Sequence, residues 1–343
     1  MRQNRYHEHL EVSVLLPCRN AASTLPECID SILAQTFTDY EIVAVDDASD
    51  DDSAVVLSNY SDSRLHIIRN DRPGLVNALN LGLAHCNAPL VARMDADDIM
   101  LPQRLQLQWR FLREHHDVVL LATQAEKFPL EQIREGYREY MRWQNAVTSH
   151  ADIAAQIYIE SPFAHPSVMF RRDSIVAAGA YRDGPFPEDY ELWLRLFRLG
   201  HRMEKLPEVL LRWRESETRL SRVSDNYARE AFDRLRAEYL SRDARLVGRN
   251  IVYWGAGRIT RRRVKHLQQR GYEPMAWIDI DPKKISNVID GARVHEPAWL
   301  ESFSEDNRPF VLNYVTNHGA RDIARQYLQR IGYVLGEDFL EVG

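Results

Sequence analysis

Apolar runs of strand length alternate with amphipathic stretches along the first hundred residues. Residues 12–16 read as a strand that Pro17 ends, because proline cannot donate the next ladder bond. Ser23 stands where it would cap a helix running to about Gln35, with Glu27 near its first turn. A second strand, 41–45, stops at the acidic run 46–52. Residues 53–60 read as a short helix, 65–69 as a third strand, 74–85 as a helix, and 90–94 as a fourth strand closed by further acids. Strands and helices at this spacing predict an α/β fold with a mainly parallel sheet covered on both faces.

From about residue 98 to 210 the pattern is less regular. Apolar positions at helical spacing occur over 104–113 and 190–199, residues 167–170 read as a strand, and 224–240 as a helix. Near Asn250 the periodicity restarts as strand, glycine turn, helix and strand, followed by a strand at 310–315 and a helix at about 320–330. The return of a complete βαβ pattern places a boundary near 241–249. The expected domains are 10–240 and a smaller α/β domain at 248–343.

With 343 residues and 45% hydrophobic composition, the chain can build two ordinary cores. A net charge of −6 gives no support for nucleic-acid binding, which usually brings a strong basic excess. Three cysteines, Cys18, Cys28 and Cys86, match neither a zinc site nor a disulfide framework and suit a reducing compartment. The first residues lack the apolar stretch of a signal peptide, and no run is long enough for a transmembrane helix. A cytoplasmic protein is expected; peripheral contact with the inner membrane face and homo-oligomerisation are compatible with it.

The chemistry concentrates at two acidic strand ends. Open parallel sheets bind ligands at the carboxyl ends of their strands. There, the run Arg93-Met94-Asp95-Ala96-Asp97-Asp98 can turn carboxylates toward a hard divalent cation, which can neutralise a diphosphate. Asp46 or Asp47 can accept hydrogen bonds from a base or ribose, and Arg19 and Asn20 follow the first strand. Taken alone, each acidic cluster also reads as an ordinary polar turn.

Together the segments VSVLLPCRNAASTLPECIDSILAQTF, YEIVAVDDASDDDS, NDRPGLVNALNLGLAHCNAPLVARMDADDIMLPQRL, PSVMFRR and GPFPEDYELWLRL resemble, in order and spacing, the family 2 inverting glycosyltransferases with the GT-A nucleotide-diphospho-sugar transferase fold. The resemblance covers about residues 10–222. It implies inverting transfer from a nucleotide-diphosphate sugar donor to a glycan or lipid-linked acceptor, in cell-surface polysaccharide or glycolipid biosynthesis. It implies that Pro17, Arg19 and Asn20 line the nucleotide pocket, that Asp46 or Asp47 contacts base or ribose, that Asp95 lies near the ribose and donor phosphate, and that Arg93 assists the phosphates or braces the acidic turn. Asp97 is then the main ligand for Mg²⁺ or Mn²⁺, Asp189 the general base, and Glu188 an acceptor-binding or loop-orienting residue. Apart from the resemblance, Glu188 and Asp189 also read as a cap on the following helix. His165 reads either as a phosphate or acceptor contact or as a structural histidine, and Trp193 as core. In LRWRESETRLSR the histidine often seen in the family near this point is missing, which weakens the case for a metal ligand from this segment. Arg214 or Arg219 is a candidate phosphate contact, with Ser221 following, against an ordinary basic loop.

In the second domain Gly255-Ala256-Gly257 begins a dinucleotide-type turn, with Thr260 where the third glycine would stand and Asp279 or Asp281 after the next strand. Gly255, Gly257 and Asp279 are candidate ligand residues there, with no organic cofactor assigned; Gly319 and Arg321 read either as an anion-binding helix start or as ordinary turn residues. Three alternatives stay open: a nucleotidyltransferase or other nucleotide-sugar enzyme, an NAD-dependent oxidoreductase using the second domain, and an inactive carbohydrate-binding scaffold.

Overall fold

The first apolar run is the centre of a sheet. In the computed structural model, which describes residues 10–133, 135–216, 219, 222 and 224–343, β1 (Val12–Cys18) is buried along its whole length. It pairs in parallel with β2 (Tyr40–Asp46) on one side and β4 (Leu90–Arg93) on the other, and β3 (Leu65–Arg69) extends the sheet beyond β2. Pro17 does not end β1: it pairs with Val45, and Cys18 with Asp46. The Leu15 carbonyl accepts the Met94 N–H, so odd-numbered residues of β1 face β4, where pairing stops at Leu15 and Arg93. The donor that proline lacks therefore falls past the end of that ladder.

Three helices cover these strands: α1 (Leu25–Leu33), α2 (Ser53–Ser58) and α3 (Leu75–His85). The N-cap of α1 is Thr24, not Ser23, and its hydroxyl donates to the Ala21 and Ala96 carbonyls instead of accepting from the helix. Side chains of the next acidic loop fix the helix start, since Ala21 N–H donates to Ser53 and Ala22 N–H to Asp51. Gly82 on α3 lets the helix approach the sheet; an added Cβ would lie 2.2 Å from Leu15 Cδ1 and 2.9 Å from Val45 Cγ2.

The irregular middle completes an eight-stranded mixed sheet in the order β3-β2-β1-β4-β7-β6-β8-β5. Its further strands are β5 (Ile99–Met100), β6 (Val118–Phe128), β7 (Met169–Arg171) and β8 (Arg202–Arg214). β7 runs antiparallel to β4 and β6, and β6 pairs in parallel with β8. Leu206 pairs with Thr123 and Val209 with Gln124, so Pro207 and Glu208 are bypassed at a bulge. The strand expected at 167–170 is preceded by a 3-10 turn, His165–Ser167. α4 (Arg104–Glu114), α5 (Glu135–Ala146), α6 (His150–Gln156), α7 (Arg172–Ala177) and α8 (Glu188–Arg198) accompany these strands.

The chain divides into two compact units. The first takes the described residues up to His150 and Pro162–Ser224; the second takes Ala151–Ser161 and Asp225–Gly343. The helix α9 (Arg229–Leu240), expected at the end of the first domain, belongs with the second unit. That unit is built on a six-stranded sheet, β11-β12-β10-β9-β13-β14. Its parallel strands are β9 (Ile251–Trp254), β10 (Pro274–Ile278), β12 (Ala292–His295), β13 (Phe310–Asn313) and β14 (Phe339–Glu341), with β11 (Val288–Ile289) antiparallel at the edge. The helices α10 (Arg258–Gln268) and α11 (His318–Arg330) follow β9 and β13, and the Asn317 side chain caps α11 through the Ala320 N–H at 3.2 Å.

Candidate active site

The carboxyl edge of the first sheet collects the residues expected to act. Pro17 is buried, and Arg19 and Asn20 are exposed beyond it. Asn20, at φ 51°, accepts the Asp50 N–H at 2.8 Å and donates its own N–H to Ser49, locking the loops after β1 and β2 together. The adjacent acids differ in their commitments. Asp47 Oδ1 takes the Asn70 amide at 2.6 Å, and both Asp47 oxygens lie 3.0 Å from the Gly74 N–H at the start of α3. Asp46 is buried as well, but among the described residues its carboxylate takes only the Ser49 N–H, at 3.2 Å.

Beyond β4 the chain folds into a tight acidic turn. Among the described residues Asp95, Asp97 and Asp98 form the one group able to hold a metal ion, with carboxylate oxygens all within 4.8 Å. Burial and then the Asp95 charge raise the Asp97 carboxyl's pKa; burial, Asp97 and Asp95 raise that of Asp98 well above the usual range. Asp98 Oδ1 accepts the Arg214 N–H at 2.7 Å, while its buried Oδ2 has no hydrogen-bond partner among the described residues. Repelling carboxylates with an unsatisfied buried oxygen fit a divalent cation. Asp98 was not singled out in the sequence, although it completes the acidic run.

The turn is wired to the second acidic pair through Arg93, which is 2% exposed. Its guanidinium contacts Asp95 directly and also feels Tyr181 and Glu188. Glu188 and Asp189 open α8, with Pro187 as N-cap. Asp189 accepts the Tyr190 N–H at 2.6 Å. Burial and then Glu188 push its carboxyl up to about 8, against the opposing pull of the Tyr190 N–H and Arg93. The frame behind the pair is buried and polar. Arg195 joins Glu191 within α8 to the Ala178 and Ala180 carbonyls. Tyr181, which no sequence signal marked, exchanges two hydrogen bonds with Asn80 of α3 and lies 2.9 Å from His165 Nε2. Burial and Arg93 hold His165 well below its ordinary pKa; its Nδ1 is 3.8 Å from Glu188, and its ring meets Trp193 edge-on in the core.

Arg214, at the end of β8, closes the acidic turn from the other side. Its Nε donates to the Asp97 carbonyl at 2.6 Å and its guanidinium pairs with Glu27. Arg219 lowers the pKa values of Asp97 and Asp98 through its charge and stacks 4.5 Å from the Trp213 ring. Ser221 lies outside the described residues.

In the second unit Gly255 adopts φ +108° directly after β9, and Gly257 is the N-cap of α10. Asp279, after β10, accepts the Ala256 N–H at 2.8 Å, the Asp281 N–H at 3.0 Å and Lys284 Nζ at 3.1 Å. Arg321 is buried, its Nε donating to the Val315 carbonyl at 2.9 Å.

A GT-A-like mixed sheet with a cation-binding acidic turn at its carboxyl edge defines a metal-dependent glycosyltransferase. The comparisons with known proteins agree. The model of glycosyl transferase family 2 matches residues 13–178. The amylovoran biosynthesis glycosyltransferase AmsE of Erwinia amylovora is 35% identical over 59% of this chain and 75% of its own. The O-antigen biosynthesis glycosyltransferase WbnJ of Escherichia coli is 31% identical over 59% and 79%. An Escherichia coli UDP-Gal:alpha-D-GlcNAc-diphosphoundecaprenol beta-1,3-galactosyltransferase is 31% identical over 49% and 61%. In fold, the chain resembles the crystal structure of residues 1–349 of TarS from S. aureus in complex with UDP-GlcNAc, with a TM-score of 0.54 and 17% identity over 68% of this chain and 72% of that one. The chain belongs to glycosyltransferase family 2. Among the described residues, no helix is long and apolar enough to cross a membrane.

Proposed function

We propose that the first unit transfers a sugar from a nucleoside-diphosphate donor to an acceptor hydroxyl with inversion at the anomeric carbon, in assembly of a cell-surface polysaccharide or glycolipid. The observation that carries this reading is the buried Arg93, which contacts Asp95 of the acidic turn and acts electrostatically on Glu188 and Asp189. Donor and acceptor machinery thereby share one charged centre. The names of AmsE and WbnJ support the polysaccharide context, and the galactosyltransferase named above supports a lipid-linked diphosphate acceptor.

Asp97, with Asp95 and Asp98 beside it, would hold Mg²⁺ or Mn²⁺, and the ion would supply positive charge for the departing diphosphate. Arg93 braces Asp95, and Arg214 and Arg219 close on the phosphates. Pro17, Arg19 and Asn20 border the nucleotide. Asp46 contacts base or ribose, since Asp47 already serves the loop before α3. Asp189 takes the proton of the acceptor hydroxyl as that oxygen bonds to the anomeric carbon. The bond from that carbon to the diphosphate oxygen breaks on the opposite face, so the configuration inverts without a covalent enzyme intermediate. Glu188 orients the acceptor and raises the basicity of Asp189.

The test uses purified, folded variants with Mn²⁺ and a panel of nucleotide sugars. Asp97→Asn is expected to weaken metal-dependent donor binding and turnover together. Asp189→Asn is expected to keep donor binding and lose transfer at least a hundredfold. Proton NMR of the first product should show the anomeric configuration opposite to the donor's. Wild-type rates in both variants, or a retained configuration, would refute the reading.

A further inference from the structure

We propose that the second unit carries a binding site of its own for a phosphate-bearing mononucleotide. A cavity of about 370 Å³ opens beside the turn after β9, lined by Gly257, Arg258, Arg261, Lys284, Val288 and Ile289 among others. It lies at the carboxyl ends of two parallel strands, β9 and β10. The carboxyl ends of the strands are the side on which open α/β sheets take ligands.

The charge distribution at this helix start is the reverse of the usual one. A helix N-terminus carries partial positive charge and favours acids in its first turn. Here α10 has no acid in its first turn and begins with Arg258. Arg258 is exposed, and among the described residues the buried Nε of Arg261 makes no hydrogen bond. An anion in the cavity neutralises both guanidinium groups and the helix end together.

Gly257 points the same way. Its φ is −70°, which any residue adopts, and an added Cβ would meet no atom within 4 Å. Neither backbone strain nor packing explains a glycine there; close approach of a ligand to bare backbone does. The opposite wall is apolar, with Val288 67% exposed beside Ile289. Such a wall suits the face of a base, while the cations take its phosphates.

Three observations make the ligand a mononucleotide rather than a dinucleotide. Asp279, the acid placed to hold a dinucleotide's ribose, already accepts from Ala256, Asp281 and Lys284. Thr260 replaces the third glycine, its Oγ1 3.2 Å from where a Gly255 Cβ would stand. The cavity is also at the small end of the range for ligand sites. Lys284 is held by Asp279 at 3.1 Å and Asp281 at 3.6 Å, so it reaches a phosphate from within an acidic pair.

The experiment is calorimetric titration of the full chain carrying Asp97→Asn, in EDTA to suppress metal-dependent binding at the acidic turn. The probes are UDP, ADP, inorganic pyrophosphate and NAD⁺. Saturable binding of UDP or ADP is expected, at least tenfold weaker after Arg258→Gln with Arg261→Gln. Gly257→Ala should leave the melting temperature unchanged and weaken the same binding at least tenfold, which separates loss of the site from loss of the fold. Absence of nucleotide binding, or binding indifferent to all three substitutions, overturns the site. Pyrophosphate binding as tightly as UDP and ADP overturns the base contact, and NAD⁺ binding more tightly than either overturns the mononucleotide assignment.

Discussion

A carboxyl group acting as a base is most effective when it titrates near the working pH, and Asp189, the proposed base, is expected to titrate there. Burial, then Glu188, push it up to about 8 in the metal-free protein. A base works deprotonated, so the sign is fixed: activity rises with pH through this range. For a group titrating at about 8, roughly one molecule in a hundred is competent at pH 6, about one in eleven at pH 7 and about half at pH 8. The expected rise in kcat/KM is therefore about fiftyfold from pH 6 to 8, flattening above pH 9. A cation in the acidic turn pulls in the same direction as Arg93, toward lower pH, so the loaded enzyme keeps the rising limb at a lower midpoint. Two measurements separate these effects: the carbon-13 shift of the Asp189 carboxyl in metal-free protein, and initial rates with donor and acceptor below KM at fixed free Mn²⁺. Glu188→Gln removes the like charge and should move both midpoints down. A carboxyl titrating near 4 in the metal-free protein, with rates flat from pH 5 to 9, refutes the argument.

Three further outcomes follow from the packing around the site. Asp47→Asn disturbs the bonds to Asn70 and Gly74 and should cost about 1–3 kcal/mol in urea unfolding, whereas Asp46→Asn should unfold like wild type while binding UDP more weakly. Arg195→Met leaves buried Glu191 and the Ala178 and Ala180 carbonyls without this partner. It should destabilise the protein by roughly 3–5 kcal/mol, a loss that equal urea midpoints would contradict. Gly82→Ala drives a methyl into Leu15 and Val45 and should lower stability by about 1–3 kcal/mol, read by the same unfolding curve.

The parts legible in the sequence are those that local physics decides. β1, β2 and β4 are buried on both faces, so they stand out as continuous apolar runs. The acidic turn was visible because three carboxylates in four residues must share one small volume. Parts set by distant partners were hidden. Pro17 looks like a strand end unless the stopping point of β4 is known. β6 and β8 form the longest pairing in the sheet, yet β8 mixes charge into its pattern and carries Pro207, which only the bulge against Thr123 and Gln124 accommodates. Nothing in the sequence separates Asp46 from Asp47; the difference arises because the loop after β3 returns with Asn70 and Gly74 to claim one of them.

The same reasoning explains why Arg93 was assigned to phosphates or to the acidic turn alone. Its link to Glu188 and Asp189 requires that the mixed sheet and the start of α8 bring the pair within reach of its charge. That arrangement has no local signature. A cation buried between two acidic centres 93 residues apart becomes intelligible only once the sheet order is known. The buried link makes each centre a term in the electrostatics of the other: neutralising the acidic turn frees Arg93 to stabilise ionised Asp189. In the proposed mechanism a cation held at the acidic turn would therefore favour the ionised, working form of Asp189, and initial-rate patterns are expected to show donor with metal binding before acceptor.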